Sequence, residues 1–211
     1  MTTTPKIGLP KGRLADQALA LLSRAGIRAD QGSDSRRLMF SDNQGRFEFV
    51  SLKPVDIPVY VASGALDAGI VGSDVLRETD ADVLEPLDLR IGLCRMVLAA
   101  PSGRSLVFDN HVRIATKYPR TAERYFWSKR SHVEIVRLEG SVEIAPLLGL
   151  ADAIVDLVET GQTLRENGLV VLDDVESVSA KLIVNRTAMK TRAAALTSLI
   201  SDLDAVIYAN P

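Results

Sequence analysis

The sequence carries very little of the side-chain chemistry that builds metal or thiol sites. Its 211 residues hold one cysteine, Cys94, and two histidines, His111 and His132. A lone thiol excludes an internal disulfide and fits a reducing compartment. So few soft donors leave no cluster with metal-ligand spacing, and no Ser–His–Asp or Cys–His set offers a covalent relay. No apolar run approaches the roughly 20 residues that cross a bilayer. The opening Met1-Thr2-Thr3-Thr4-Pro5-Lys6 lacks the apolar core of a secretion signal. A net charge of −2 gives no basic footprint for nucleic acid. The expectation is a soluble, cytoplasmic protein with neither a membrane nor a nucleic-acid partner. With 46% hydrophobic residues over this length, it can bury one large core or two smaller ones.

What is present is an alternation of short apolar runs and helical patterns, which predicts an α/β fold. Strands are expected at 6–9, 38–40, 47–53, 68–71, 112–116, 133–138, 153–158, 170–178 and 182–185, with a long strand over 90–100. Helices are expected from Leu14 to a stop at Gly26, over 56–63, after a Ser73-Asp74 cap, over 121–129, over 141–148 and from Leu164. A single closing helix is expected over 188–208, with Leu196, Leu199, Ile200, Leu203 and Val206 facing inward. No linker rich in Pro, Gly or Ser separates two beads, so any two lobes must be joined by strands.

An internal echo supports two lobes. Gly64-Ala65-Leu66-Asp67-Ala68-Gly69-Ile70-Val71 and Gly149-Leu150-Ala151-Asp152-Ala153-Ile154-Val155 share Gly, Asp and Ala at matching offsets, each after a short helix and opening a buried strand. Two such lobes joined by crossing strands describe the type II periplasmic-binding-protein architecture, with an active-site cleft between them; this step is analogy of fold. The expected division is residues 1–93 with 181–211, and 94–180.

The most specific segment runs from Ala153 to Gly168. A buried strand ends at Val158, Glu159-Thr160-Gly161-Gln162-Thr163 turns the chain, and Leu164 begins a helix. Such a turn presents backbone N–H groups and the positive end of a helix to an anion, and Gly161 lets the backbone approach it without a Cβ. A plain strand–turn–helix with Thr163 as N-cap is the bland alternative. Asp156 interrupts an apolar strand, where an unpaired carboxylate is costly. It either meets a buried donor or accepts from ligand hydroxyls. Lys11 and Arg13 flank Gly12 at a helix start, where cations are disfavoured unless an anion joins them; a solvated basic loop is the alternative. Arg36-Arg37 is a weaker signal of the same kind, its guanidinium fork suited to a diphosphate. Gly72-Ser73-Asp74 is a second strand-to-helix turn.

These residues together resemble the ATP phosphoribosyltransferase family. Its signature reads here as Glu143, Gly149, Ala151, Ile154, Asp156, Leu157, Thr160, Gly161, Thr163 and Leu164, every position at the family's spacing. Pro10-Lys11-Gly12-Arg13, Asp56-Ile57-Pro58, Ala68-Gly69-Ile70-Val71-Gly72 and Lys117-Tyr118-Pro119 also match, so the likeness spans nearly the whole chain. One departure is Lys53-Pro54, where the family often has an arginine. The resemblance implies that N1 of ATP displaces pyrophosphate from phosphoribosyl pyrophosphate with inversion, the first step of histidine biosynthesis. It implies Lys11, Arg13 and Arg36 as catalytic charge stabilisers. Glu143, Asp156, Glu159, Thr160, Gly161, Gln162, Thr163 and Leu164 would hold the phosphoribosyl donor, and Gly72, Ser73 and Asp74 would bind ATP. Mg²⁺ is implied as a cofactor carried on the substrate phosphates, with no ligands from the protein. The chain ends at Pro211, like the family's short form. That form implies a homodimer within a hetero-oligomer that includes a regulatory subunit related to histidyl-tRNA synthetase. Another phosphoribosyltransferase, or a cytosolic bilobal module that binds a small ligand without turnover, stands as the alternative.

Overall fold

The computed structural model describes residues 4–29, 37–103, 106 and 111–209. Eleven strands and seven α-helices are found among them. The first stretch holds β1 (Lys6–Pro10), α1 (Arg13–Arg24), β2 (Met39–Ser41), β3 (Glu48–Leu52), α2 (Ile57–Ala62), β4 (Ala68–Gly72), α3 (Ser73–Thr79) and β5 (Leu84–Asp88). Then come β6 (Cys94–Pro101), β7 (Arg113–Thr116), α4 (Pro119–Ser128), β8 (Glu134–Arg137), β9 (Ala153–Val158), α5 (Gln162–Glu166) and β10 (Leu169–Val178). The chain closes with β11 (Ala180–Val184), α6 (Arg186–Thr191) and α7 (Ala193–Tyr208). It forms two compact units, Met1–Gly92 with Ser179–Pro211, and Leu93–Val178.

The first unit carries a six-stranded sheet in the order β2-β3-β1-β4-β11-β5, and the second a five-stranded sheet in the order β10-β6-β9-β7-β8. The two orders share a plan. In each, a central strand (β4 or β9) runs parallel to an earlier neighbour (β1 or β7) and antiparallel to a strand arriving from the other side of a unit boundary (β11 or β6). Open sheets of this kind take ligands at the carboxyl ends of their parallel strands. Those ends carry residues 11–13 and 72–74 in the first unit, and 117–118 and 159–161 in the second.

The echo between the two halves proves to be one structural device used twice. Asp67 immediately precedes β4; its N–H donates to the Lys6 carbonyl at 2.9 Å, and its Oδ2 accepts from the Lys6 N–H at 2.8 Å. Asp152 immediately precedes β9; its N–H donates to the Arg113 carbonyl at 2.8 Å, and its Oδ2 accepts from the Arg113 N–H at 2.9 Å. Both aspartates are buried, and each carries a guanidinium partner: Arg192 Nε lies 2.9 Å from Asp67 Oδ1, and Arg113 Nε lies 3.4 Å from Asp152 Oδ2. Each closes a ring onto the first residue of the neighbouring strand and so sets the parallel register, Ile7 opposite Ala68 and Ile114 opposite Ala153.

Fully buried side chains fill the space behind the sheets. Ile7, Leu9, Leu22, Phe49 and Ile70 lie in the first unit, and Met96, Ile114 and Ile154 in the second. Each contributes about 1.5–3 kcal/mol of burial.

Four local expectations are corrected. Residues 90–93 are not strand, because Arg90 (φ 52°) and Gly92 (φ 62°) turn the chain before β6. The 141–148 stretch forms only a 3₁₀ turn over Val142–Ile144, entered through Ser141 at φ 48° and interrupted by Pro146, which cannot donate to a helix. The closing helix is two helices, α6 and α7, broken at Arg192 (φ −125°), whose guanidinium is held by Asp67. Ser73 does not cap α3 but is its first residue, with Gly72 at the cap. One strand goes unanticipated: β5 contains Pro86 and lies at the sheet edge, where a missing N–H is tolerated.

Replacing Asp152 with alanine strands the Arg113 N–H, so Asp152→Ala should lose about 1–3 kcal/mol. In urea unfolding the midpoint should fall with the slope unchanged.

Candidate functional site

In the second unit the site is built on β9. Side chains of a strand alternate between faces, so Ile154, Asp156 and Val158 share one face. Ile154 and Val158 belong to a buried cluster with Val142, Ala145, Leu164 and Leu169. That cluster holds two segments against the same face: the 3₁₀ turn carrying Glu143, through Val142 and Ala145, and the start of α5, through Leu164, which is 5% exposed. Asp156 is left half-buried on this face, its Oδ1 accepting from the Leu157 N–H at 2.8 Å.

Beyond Val158 the turn is shaped by Gly161, at φ 72°, which caps α5 without any side-chain hydrogen bond. Thr163, the cap in the bland alternative, lies inside the first helical turn. A Cβ on Gly161 would come within 3.1 Å of Arg165 Nη1, which donates to the Thr160 carbonyl at 3.1 Å. Thr160 Oγ1 accepts from the Gln162 N–H at 3.4 Å, and the Gln162 side chain donates to Glu166 Oε1 at 2.7 Å. Glu159, Thr160, Gln162 and Thr163 are exposed. The first turn of α5 contains no acidic residue, so no side-chain charge there offsets the attraction of a helix start for an anion.

Lys117 is not among the expected site residues. Thr116 and Val155 are the last pair of the parallel β7–β9 ladder, Lys117 and Asp156 follow them in sequence, and Lys117 acts electrostatically on the Asp156 carboxyl. Lys117 is exposed. Its sequence signal is the Lys117-Tyr118-Pro119 turn closing a strand.

In the first unit β3, β1 and β4 run parallel, so the 53–56, 11–13 and 72–74 segments share one edge of the sheet. Lys11 and Arg13 are exposed on either side of Gly12, which caps α1 at φ 84° with no side-chain hydrogen bond. The Lys11 N–H donates to the Leu52 carbonyl at 3.0 Å, fixing the loop on β3. At the neighbouring turn, the Ser73 N–H donates to the Ser179 carbonyl at 2.9 Å, and Ser73 Oγ accepts from the Ser179 N–H at 3.3 Å. Asp74 is buried and folds back so closely that a Cβ on Gly72 would overlap its Oδ1. That carboxylate already occupies the positive end of α3. Arg36 lies outside the described residues.

The electrostatics of the second unit centre on Asp156. Burial pushes its carboxyl above the usual carboxylate range, Glu143 pushes it the same way, and the Leu157 N–H and Lys117 pull it back. The acid is therefore favoured protonated in the folded protein relative to the unfolded chain. Its stabilising share is fully present below the unfolded value of about 3.9 and is lost as pH rises through the folded value. Asp156→Asn, which keeps an acceptor for Leu157, should raise thermal stability at pH 7. The gain should shrink to nothing on acidification below about pH 4. A thermal melt series across pH reads this directly.

Residues 53–205 match the family model of ATP phosphoribosyltransferase. An ATP phosphoribosyltransferase of Caldanaerobacter subterraneus subsp. tengcongensis is 47% identical over 202 residues, covering 95% of this chain and 96% of that protein. Among solved structures, the ATP phosphoribosyl transferase (HisG:HisZ) complex from Thermotoga maritima contains a similar chain. It superposes with a TM-score of 0.84 at 35% identity, covering 98% of this chain and 100% of that one. The periplasmic aliphatic sulphonate binding protein from Escherichia coli shares the fold at 13% identity, with a TM-score of 0.61 and coverage of 98% of this chain and 73% of that one. The fold is thus the α/β architecture of the type II periplasmic binding proteins. Sequence identity over almost the full length, joined to a signature whose Asp156 and Gly161 stand at the end of β9, leads to one conclusion: the chain belongs to the ATP phosphoribosyltransferase family.

Proposed function

We propose that the chain transfers the phosphoribosyl group of phosphoribosyl pyrophosphate to N1 of ATP, with inversion at the anomeric carbon and loss of pyrophosphate, the first step of histidine biosynthesis. The observation that carries the assignment of the donor is the second unit's strand end. There a half-buried acid, Asp156, stands just before a glycine turn whose helix start has no acid of its own. In this reading the backbone N–H groups of 160–164 bind the 5′-phosphate, with Glu159, Thr160, Gly161, Gln162, Thr163 and Leu164 forming the loop. Glu143 and Asp156 accept from the ribose hydroxyls.

The first unit takes the remaining work. Lys11 and Arg13, joined by Arg36, would stabilise charge developing on the leaving diphosphate, the main demand of a displacement that needs no covalent intermediate. The Gly72-Ser73-Asp74 turn would serve ATP. Asp74 already balances the start of α3, so this turn suits a hydroxyl- or amino-bearing part of the nucleotide better than its phosphates. Among the described residues no group of three or more His, Cys, Asp or Glu side chains stands together to cage a metal. In this reading Mg²⁺ is carried on the substrate phosphates, where it neutralises charge.

No helix among the described residues is long and apolar enough to cross a membrane. We place the chain in the cytoplasm, as a homodimer within a hetero-oligomer that includes a subunit related to histidyl-tRNA synthetase. The two-protein complex named for the Thermotoga maritima relative supports that arrangement.

Mixing the purified chain with ATP, phosphoribosyl pyrophosphate and Mg²⁺ should produce the ultraviolet change of an N1-substituted adenine, with a regulatory partner if not without one. Absence of that signal under both conditions rejects the reading. In single-turnover kinetics, Arg13→Ala should slow the chemical step about a hundredfold or more while weakening substrate affinity far less. Unchanged single-turnover rates would remove Arg13 from the leaving-group role.

A further inference from the structure

A fully buried hydroxyl in the second unit belongs to Thr116, the last residue of β7, which is 0% exposed. Its Oγ1 donates to the Val155 carbonyl at 2.7 Å and accepts from the Tyr118 N–H at 2.9 Å. Its own carbonyl accepts from the Leu138 N–H at 3.0 Å. The end of β7 is thereby tied to β9 on one side and to the segment leaving β8 on the other. The hydroxyl also closes the tight turn into α4, where Tyr118 is buried in the core formed by Ile114, Ala122, Phe126 and Val155. Lys117 lies between these two anchors and is exposed. The same carbonyl that Thr116 binds, that of Val155, belongs to the residue immediately before Asp156.

We propose that Thr116 is a positioning residue for phosphoribosyl transfer, its buried hydroxyl clamping the turn so that Lys117 stands beside Asp156 and toward the donor's anionic groups. The inference rests on the assignment of Asp156 to the donor site. A valine here would keep the shape and lose the clamp, because a threonine hydroxyl with two buried partners cannot be replaced by a methyl without stranding both. Val155 is held independently in β9 and Tyr118 in the core. The effect should therefore fall on where Lys117 sits rather than on whether the unit folds. Lys117 draws the Asp156 carboxyl toward its ionised form against the push of burial and Glu143. An ionised carboxylate is the form that accepts two hydrogen bonds from adjacent ribose hydroxyls.

The test is steady-state kinetics of the full chain, with its regulatory partner where activity requires one. Thr116→Val should raise KM for phosphoribosyl pyrophosphate about tenfold, with KM for ATP changing less than about twofold. Thr116→Ser, which restores the hydroxyl, should return both to the parent values. Lys117→Gln, a surface change that does not threaten folding, should reproduce the Thr116→Val effect. The double variant should be no worse than either single one, since the two act through one group. An equal rise in both KM values, a failure of serine to rescue, additive losses in the double variant, or a silent Lys117→Gln would each overturn the proposal. Asp156→Asn run alongside separates the two levels. If it too leaves KM for phosphoribosyl pyrophosphate unchanged, the donor-site assignment itself fails. If it raises that KM and Thr116→Val does not, only the positioning role fails.

Discussion

A single buried carboxylate, used once in each unit, is the constraint on which the rest of the architecture depends. Asp67 and Asp152 each close a two-bond ring onto the first residue of the adjacent parallel strand. Parallel strands have no hairpin to set their register, and a slip of one residue moves every side chain to the opposite face. The aspartate supplies the missing pin. Once Ile114 is fixed opposite Ala153, Thr116 meets Val155 at the far end of the same ladder. Lys117, Asp156 and the Gly161 turn then emerge at one edge. The chemistry at the carboxyl end of the sheet is positioned by a charge buried at the amino end.

Asp156 shows the opposite use of a carboxylate. The two pinning acids each meet a backbone and a guanidinium donor, whereas Asp156 has one backbone donor, a like charge in Glu143 and a lysine acting on it. Burial and Glu143 disfavour the ionised form that a ribose would meet. An acid held against its own preference on an otherwise apolar face costs stability, a cost that the proposed contact with the ribose would account for. The surrounding cluster of Val142, Ala145, Ile154, Val158 and Leu164 is what keeps the face together despite it.

Much of this was legible in the residues, and the exceptions have identifiable causes. Buried strands announced themselves as apolar runs, and Asp156 stood out because it broke one. Gly161 is readable as a turn, but the residue that caps α5 is not, since a hydroxyl such as that of Thr163 looks the same in sequence wherever the helix starts. The break at Arg192 was invisible because the apolar periodicity runs through it, and its cause is a partner 125 residues away in sequence, Asp67. The matching Gly, Asp and Ala offsets of the two halves were visible as a pattern, but the role of the aspartate was not, since it depends on which strand lies alongside. The proximity of Lys117 to Asp156 is hidden for the same reason: it depends on β7 lying alongside β9.

In the proposed function the turn after β9 holds the donor's phosphate through its backbone. Hydrogen–deuterium exchange resolved to single amides tests it most directly, with and without saturating phosphoribosyl pyrophosphate and Mg²⁺. The account predicts that exchange slows about tenfold or more at the amides of residues 160–164, with little change in the strands that already pair. Unaltered exchange across that turn in the donor-saturated protein would contradict it.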